Sequence, residues 1–121
     1  MESKDLAIAA ARAMDDRRGT KITVLKIEDL TTLADYFVVG TGTSRVQTQA
    51  MADNIDDALA LEGIRPNRIE GLQEGRWILL DYGVVIVHIF QEDERNFYNL
   101  ERLWADAPAL AYEEVFPDKK V

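Results

Sequence analysis

The chain has 121 residues, 47% hydrophobic and 30% charged, a balance that suits one folded domain rather than a disordered chain. It has no cysteine, which excludes disulfides, thiolate metal sites and cysteine nucleophiles. The formal charge of −8 is spread along the chain; it repels bare phosphate backbones and anionic lipid, favours a basic protein partner and aids solubility.

The first residues, MESKDLAIAAARAMDD, lack the unbroken apolar core of a signal peptide and carry acids early, unlike a transit peptide. No apolar run approaches the ~20 residues that span a bilayer, so a soluble, cytoplasmic protein without membrane contact is expected. Ser3 is placed to cap a helix over about Lys4 to Arg18, with Gly19 as its stop. Leu6, Ala9, Ala10, Ala13 and Met14 form its apolar stripe, and Arg12, Asp15 and Asp16 face water. Lys21 to Ile27 alternates and reads as a strand near a sheet edge. Tyr36 to Gly40 is continuously apolar, as a central strand is. It leads into Thr41-Gly-Thr-Ser44, where Ser44 stands three residues before Gln47 and opens a long helix with a capping box. Val46, Ala50, Met51, Ile55, Ala58 and Leu59 give that helix its buried side, and Gly63 ends it.

A short strand at Arg68 to Glu70 is a weaker expectation. Two strands follow, Trp77 to Asp81 and Val84 to Phe90, joined by a tight turn at Tyr82-Gly83, where glycine supplies the positive φ that such turns demand. Asp93 to Trp104 reads as a third helix, with Phe97, Leu100, Leu103 and Trp104 at helical spacing. Residues 1–104 form the expected domain; residues 105–121, with two prolines, form a C-terminal extension that is extended or loosely ordered. The order α, β, β, α, β, β, β, α implies a single α/β domain with one mixed β-sheet of about five strands flanked by helices.

The chemistry-bearing residues support no strong catalytic motif. Ser44 with His88 and Asp81 or Asp35 can be written as a triad, but no nucleophile elbow surrounds Ser44, which has a capping role of its own. Gly40 to Ser44 lies where a phosphate loop would, between a strand and a helix; Arg45 stands where the third glycine of a dinucleotide fingerprint would be. Metal binding by His88, the only histidine, would need ligands among Asp81, Glu92, Asp93 and Glu94, and these match no metal spacing; the last three suit a helix N-terminus. On alternating pleats Trp77, Leu79 and Asp81 point one way and Ile78, Leu80 and Tyr82 the other, while Val84, Ile86, His88 and Phe90 share a side. A tryptophan, aliphatics and one acid on an open sheet face have the composition of a protein-binding hot spot; a face covered on both sides, with His88 hydrogen-bonded inside, fits the periodicity equally well.

Asp35-Tyr-Phe-Val-Val-Gly-Thr-Gly-Thr-Ser44, Glu70-Gly, Trp77-Ile-Leu-Leu-Asp-Tyr-Gly83, Val85-Ile-Val-His88 and Arg95-Asn-Phe-Tyr-Asn-Leu-Glu-Arg-Leu-Trp104 occur in this order over nearly the whole chain. Together they resemble the ribosomal silencing factor family, also called the Iojap family. The resemblance implies a domain similar to the nucleotidyltransferase fold without its acidic metal cluster, and no enzyme activity, cofactor or metal. It implies binding to the large ribosomal subunit through large-subunit ribosomal protein number fourteen, which blocks joining of the small subunit and represses translation. It also links the chain to large-subunit assembly. On this reading Trp77, Leu79, Asp81 and Tyr82 contribute the ribosomal contact, Trp77 as anchor and Asp81 as partner of a basic residue. Ser44 and Gly83 serve local structure, and His88, Arg95 and Tyr98 give internal support. Val84 stands where family members commonly carry an acid, which shifts the burden to Asp81 and apolar contact. The hairpin face can also serve a homodimer. The alternatives are a nucleotide-binding or nucleotidyltransferase-like protein using Gly40 to Ser44, and an assembly factor that prefers immature subunits.

Overall fold

In the computed structural model, which describes residues 1–119, apolar side chains spaced for a helix start the fold. Helix α1 (Ser3–Asp16) buries Leu6, Ala7, Ala10, Ala11, Ala13 and Met14. Its small residues let the helix approach its neighbours closely. Ser3 is the first helical residue rather than the cap: Glu2 precedes the helix in extended conformation with no side-chain cap bond. The helix ends at Asp16, short of the expected Arg18, which takes a left-handed φ of 61° while the Gly19 N–H closes back on the Met14 carbonyl.

Strand β1 (Thr20–Lys26) lies at a sheet edge, as its alternation implies, with an irregular register between Thr20 and Thr23 and a positive φ at Lys21. Strand β2 (Tyr36–Gly42) is buried throughout and two residues longer than expected. Helix α2 (Arg45–Ala60) follows, with Ser44 Oγ accepting from the Gln47 N–H at 3.2 Å. The reach-back of the capping box is altered. Gln47 Oε1 accepts from the Thr43 N–H and hydroxyl, while its amide donates to the carbonyls of Arg17 and Arg18 and so ties the end of α1 to the start of α2.

The buried face of α2 is Thr48, Met51, Ala52, Ile55 and Leu59. Val46 is 72% exposed, contrary to expectation, because it lies about 200° around the helix from Thr48. Each fully buried aliphatic here contributes about 2 kcal/mol.

Strands β3 (Arg68–Glu70), β4 (Trp77–Asp81) and β5 (Val85–Gln91) complete one mixed sheet, in the order β1-β2-β5-β4-β3. Only β2 and β5 run parallel; the other pairs are antiparallel. The β4–β5 turn sits one residue later than expected. Tyr82 N–H donates to the Val85 carbonyl, which leaves Gly83 (φ 81°) and Val84 at the tip.

The expected third helix is broken in two. Helix α3 (Glu92–Tyr98) stops at Asn99, which takes a left-handed conformation (φ 43°), and the single turn α4 (Leu100–Leu103) restarts with the Asn99 side chain accepting from the Arg102 N–H. The break lets Leu100 and Trp104 pack on the sheet, and it leaves Phe97 81% and Leu103 73% exposed. A straight helix would have placed all four on one stripe.

The segment after Trp104 is extended in part but not loose. Lys26 N–H donates to the Pro108 carbonyl and Leu110 N–H to the Val24 carbonyl, around a bridge between Leu25 and Ala109. The turn α5 (Tyr112–Val115) then sets Val115 and Phe116 into the core. Ion pairs Lys4–Glu114 and Lys119–Asp15, with Arg12 Nε donating to the Val115 carbonyl, fasten it to α1. The last two positions of the expected extension lie outside the described residues.

Candidate functional site

Helices α1 and α2 cover one face of the sheet. The other face is only partly covered, and what it displays follows from strand register. Asp81 pairs with Ile86 and Ile86 with Phe37; Leu79 pairs with His88 and His88 with Val39; Trp77 pairs with Phe90 and Phe90 with Thr41. Leu100 packs on Val39 and Phe90, while Trp104 and Ala107 pack against Leu25, Ile27 and Phe37. The cover stops there. Trp77, Leu79, Asp81 and Ile86 stay half-buried, rimmed by exposed Arg68 and Glu70 on β3.

Aromatic rings tile the boundary between the covered and open halves. Trp77 lies 4.4 Å from Tyr98 and 5.0 Å from Phe90, centroid to centroid, and Tyr98 meets Phe97 at 5.1 Å. His88 sits behind Trp77, edge-on to Phe37 at 4.9 Å and parallel to Phe90 at 6.1 Å. Trp77 Nε1–H donates to His88 Nδ1 at 3.1 Å. Burial alone depresses the His88 pKa from 6.5 to about 4, because a charged imidazolium would lose its hydration here. The ring is neutral at physiological pH.

The expected contact residues do not all share this surface. Trp77, Leu79 and Asp81 do. Tyr82 lies on the opposite face, buried in the α2-side core, where desolvation raises its phenol pKa. Asp81 is already engaged: Oδ1 accepts from the Gly83 N–H at 2.8 Å and Oδ2 pairs with Arg68 Nε at 3.3 Å. It thus pins the turn as well as contributing charge.

Arg95 is buried, and its guanidinium donates to Thr41 Oγ1 at 2.8 Å, Glu101 Oε2 at 2.9 Å and the Lys21 carbonyl, which clamps α3 to β2, β1 and α4. Tyr98, expected inside, is 42% exposed over Trp77. Phe97 and Leu103 extend the surface and were not expected on it. Their helical spacing pointed to the core, and only the break at Asn99 turns them outward.

The turn at Gly40 to Ser44 has little room for phosphate. Thr41 and Gly42 belong to β2, pairing with Phe90 and Gln91. A Cβ at Gly40 would collide with Met14 Sδ, and one at Gly42 would lie 2.9 Å from Thr48 Cγ2 and 3.3 Å from Met51 Sδ. These glycines admit helix side chains. The N–H groups of Thr43 and Gln47 are already bonded within the turn.

Comparisons with known proteins agree with one another. The family model described as "Ribosomal silencing factor during starvation" matches residues 1–120. The ribosomal silencing factor of Bacillus subtilis is 45% identical over 108 residues, covering 89% of this chain and 92% of that protein. The chloroplastic protein Iojap of Zea mays is 31% identical over 116 residues, covering 90% of this chain and 47% of that protein. An X-ray structure of a protein from Chromobacterium violaceum superposes with a TM-score of 0.84 at 33% identity, covering 87% of this chain and 88% of that one.

Proposed function

The chain belongs to the ribosomal silencing factor family, a family of translation regulators, and from that premise we propose that it acts by steric occlusion. It binds the large ribosomal subunit at the face that meets the small one, through large-subunit ribosomal protein number fourteen, and blocks their joining. The observation that carries this reading is the half-open sheet face, on which Trp77, Tyr98 and Phe97 form a run of contacting rings beside half-buried Leu79, with a charged rim.

Large aromatics beside fully packed neighbours are where protein–protein affinity concentrates. The net charge of −8 steers the chain toward a basic protein rather than toward ribosomal RNA. Catalysis has no part in this function. The bonded turn at Gly40 to Ser44 supports a non-enzymatic reading over the nucleotidyltransferase-like one. Among the described residues no helix is long and apolar enough to cross a membrane, and the action proposed is cytoplasmic. A homodimer built on the same face would compete with the ribosome.

The test is sedimentation of the purified chain with separated ribosomal subunits at moderate salt. Co-sedimentation with the large subunit alone, and fewer joined ribosomes when the small subunit is added, is the expected result. Binding to neither subunit overturns it. Preference for immature over mature large subunits transfers the reading to assembly.

A further inference from the structure

The pairing of Trp77 with His88 has a chemical direction that the surrounding contacts lack. An indole nitrogen can only donate, so the bond from Trp77 Nε1 to His88 Nδ1 requires Nδ1 to be unprotonated, and the neutral ring then carries its proton on Nε2. Nε2 is buried with no hydrogen-bond partner among the described residues. The whole residue is 5% exposed, between Phe37 and Phe90. A phenyl ring would fill that place without burying an unpaired donor, so packing alone gives no reason for an imidazole.

What the imidazole adds is an acceptor. The contacts of Trp77 with Phe90 and Tyr98 are apolar and place no demand on the indole N–H. The hydrogen bond does: it is made in one orientation only.

We propose that His88 is a positioning residue, which accepts the indole N–H and holds Trp77 in the single orientation that meets the ribosomal partner. The proposal rests on the reading of the half-open face given above. A side chain ordered before binding spares the cost of ordering it on binding, and that saving appears as affinity. Because burial keeps the ring neutral down to about pH 4, the acceptor is present throughout the neutral range.

Two variants test it in the full chain: His88→Phe keeps the ring and removes the acceptor, and His88→Asn sets an amide oxygen near the place of Nδ1. The indole N–H resonance of Trp77 is followed by NMR, with Trp104 as internal reference, and large-subunit affinity by co-sedimentation. In His88→Phe the Trp77 indole proton is expected to shift upfield and to exchange about tenfold faster, and affinity to fall about tenfold, while the thermal midpoint holds or rises. His88→Asn is expected to recover much of both signals.

An unchanged Trp77 resonance in His88→Phe overturns the proposal whatever the ribosome does. So does a freed indole with unaltered affinity when Trp77→Ala has lost binding. If Trp77→Ala itself binds normally, the reading of the face fails and takes the proposal with it. That outcome is recognisable because the indole signal has moved while neither variant has lost the large subunit.

Discussion

Under α1 and α2 the sheet meets methionine, leucine, isoleucine and alanine side chains, and Ile78, Leu80, Val38, Val87 and Ile89 are fully enclosed there. Over the other face it meets rings: Phe37, His88, Phe90, Trp77, Tyr98 and Trp104, in edge-on and tilted pairs, with coverage that stops halfway across. The first face is held by volume and burial, which have no preferred direction. The second adds a directional bond between two of its rings, from Trp77 to His88, and leaves its far half half-exposed. A substitution on the closed face should therefore change stability and leave recognition alone. One on the exposed half of the other face should do the opposite.

The largest effect expected tests the closed face. Leu80→Ala removes a fully enclosed side chain from a central part of that core and should cost about 4 kcal/mol in urea unfolding. At temperatures where the variant is folded, its affinity for the large subunit should match that of the parent; a large loss of affinity would merge the two faces into one system.

Next comes pH. His88 has a folded pKa of about 4 against 6.5 unfolded, so between these values the unfolded chain binds the extra proton. Stability contributed by this group is complete above pH 6.5 and falls as pH drops toward 4, by on the order of 3 kcal/mol. The difference in unfolding free energy between parent and His88→Phe, measured from pH 7 to pH 4, isolates it from the carboxylates.

On the half-open face, Trp77→Ala should weaken large-subunit binding by about 2 kcal/mol, roughly thirtyfold. Its unfolding midpoint should move less than that of Leu80→Ala. The smallest effect returns to the closed side: Ser44→Ala deletes the acceptor for the Gln47 N–H and should cost about 1 kcal/mol of stability with no change in binding.

Part of this division was legible in the residues. The pleat sorts Trp77, Leu79 and Asp81 onto one face and Ile78 and Leu80 onto the other, but these residues are nearly all apolar, so the periodicity leaves open whether either face is exposed. The pleat also assigns Tyr82 to the closed side, against its inclusion in the contact set, and the structure follows the pleat.

Three features were missed, two of them because tertiary packing decided them. Asn99 breaks a helix whose periodicity is sound, and after the break Leu100 and Trp104 pack on the sheet. Val46 is apolar yet out of phase with the buried stripe of α2. In the C-terminal segment many of the apolar residues are alanine and prolines interrupt them, so nothing local announces that Leu110, Val115 and Phe116 reach the core. The Trp77–His88 bond was legible only as two polar-capable residues near one hairpin. Its direction required knowing the register that sets their strands side by side.

The pairing of residues 108–110 with β1 has a consequence for how copies of this protein behave when crowded. Unpaired strand edges invite other chains to add strands and aggregate. At one end of this sheet, the N–H and carbonyl groups that β1 would offer around Leu25 are already taken. At the other end the outermost strand is only Arg68 to Glu70, charged at its first and last residues and preceded by Pro66 two residues earlier. The proposed binding face can thus stay half-open and apolar on a protein whose sheet edges are in part already paired and in part very short.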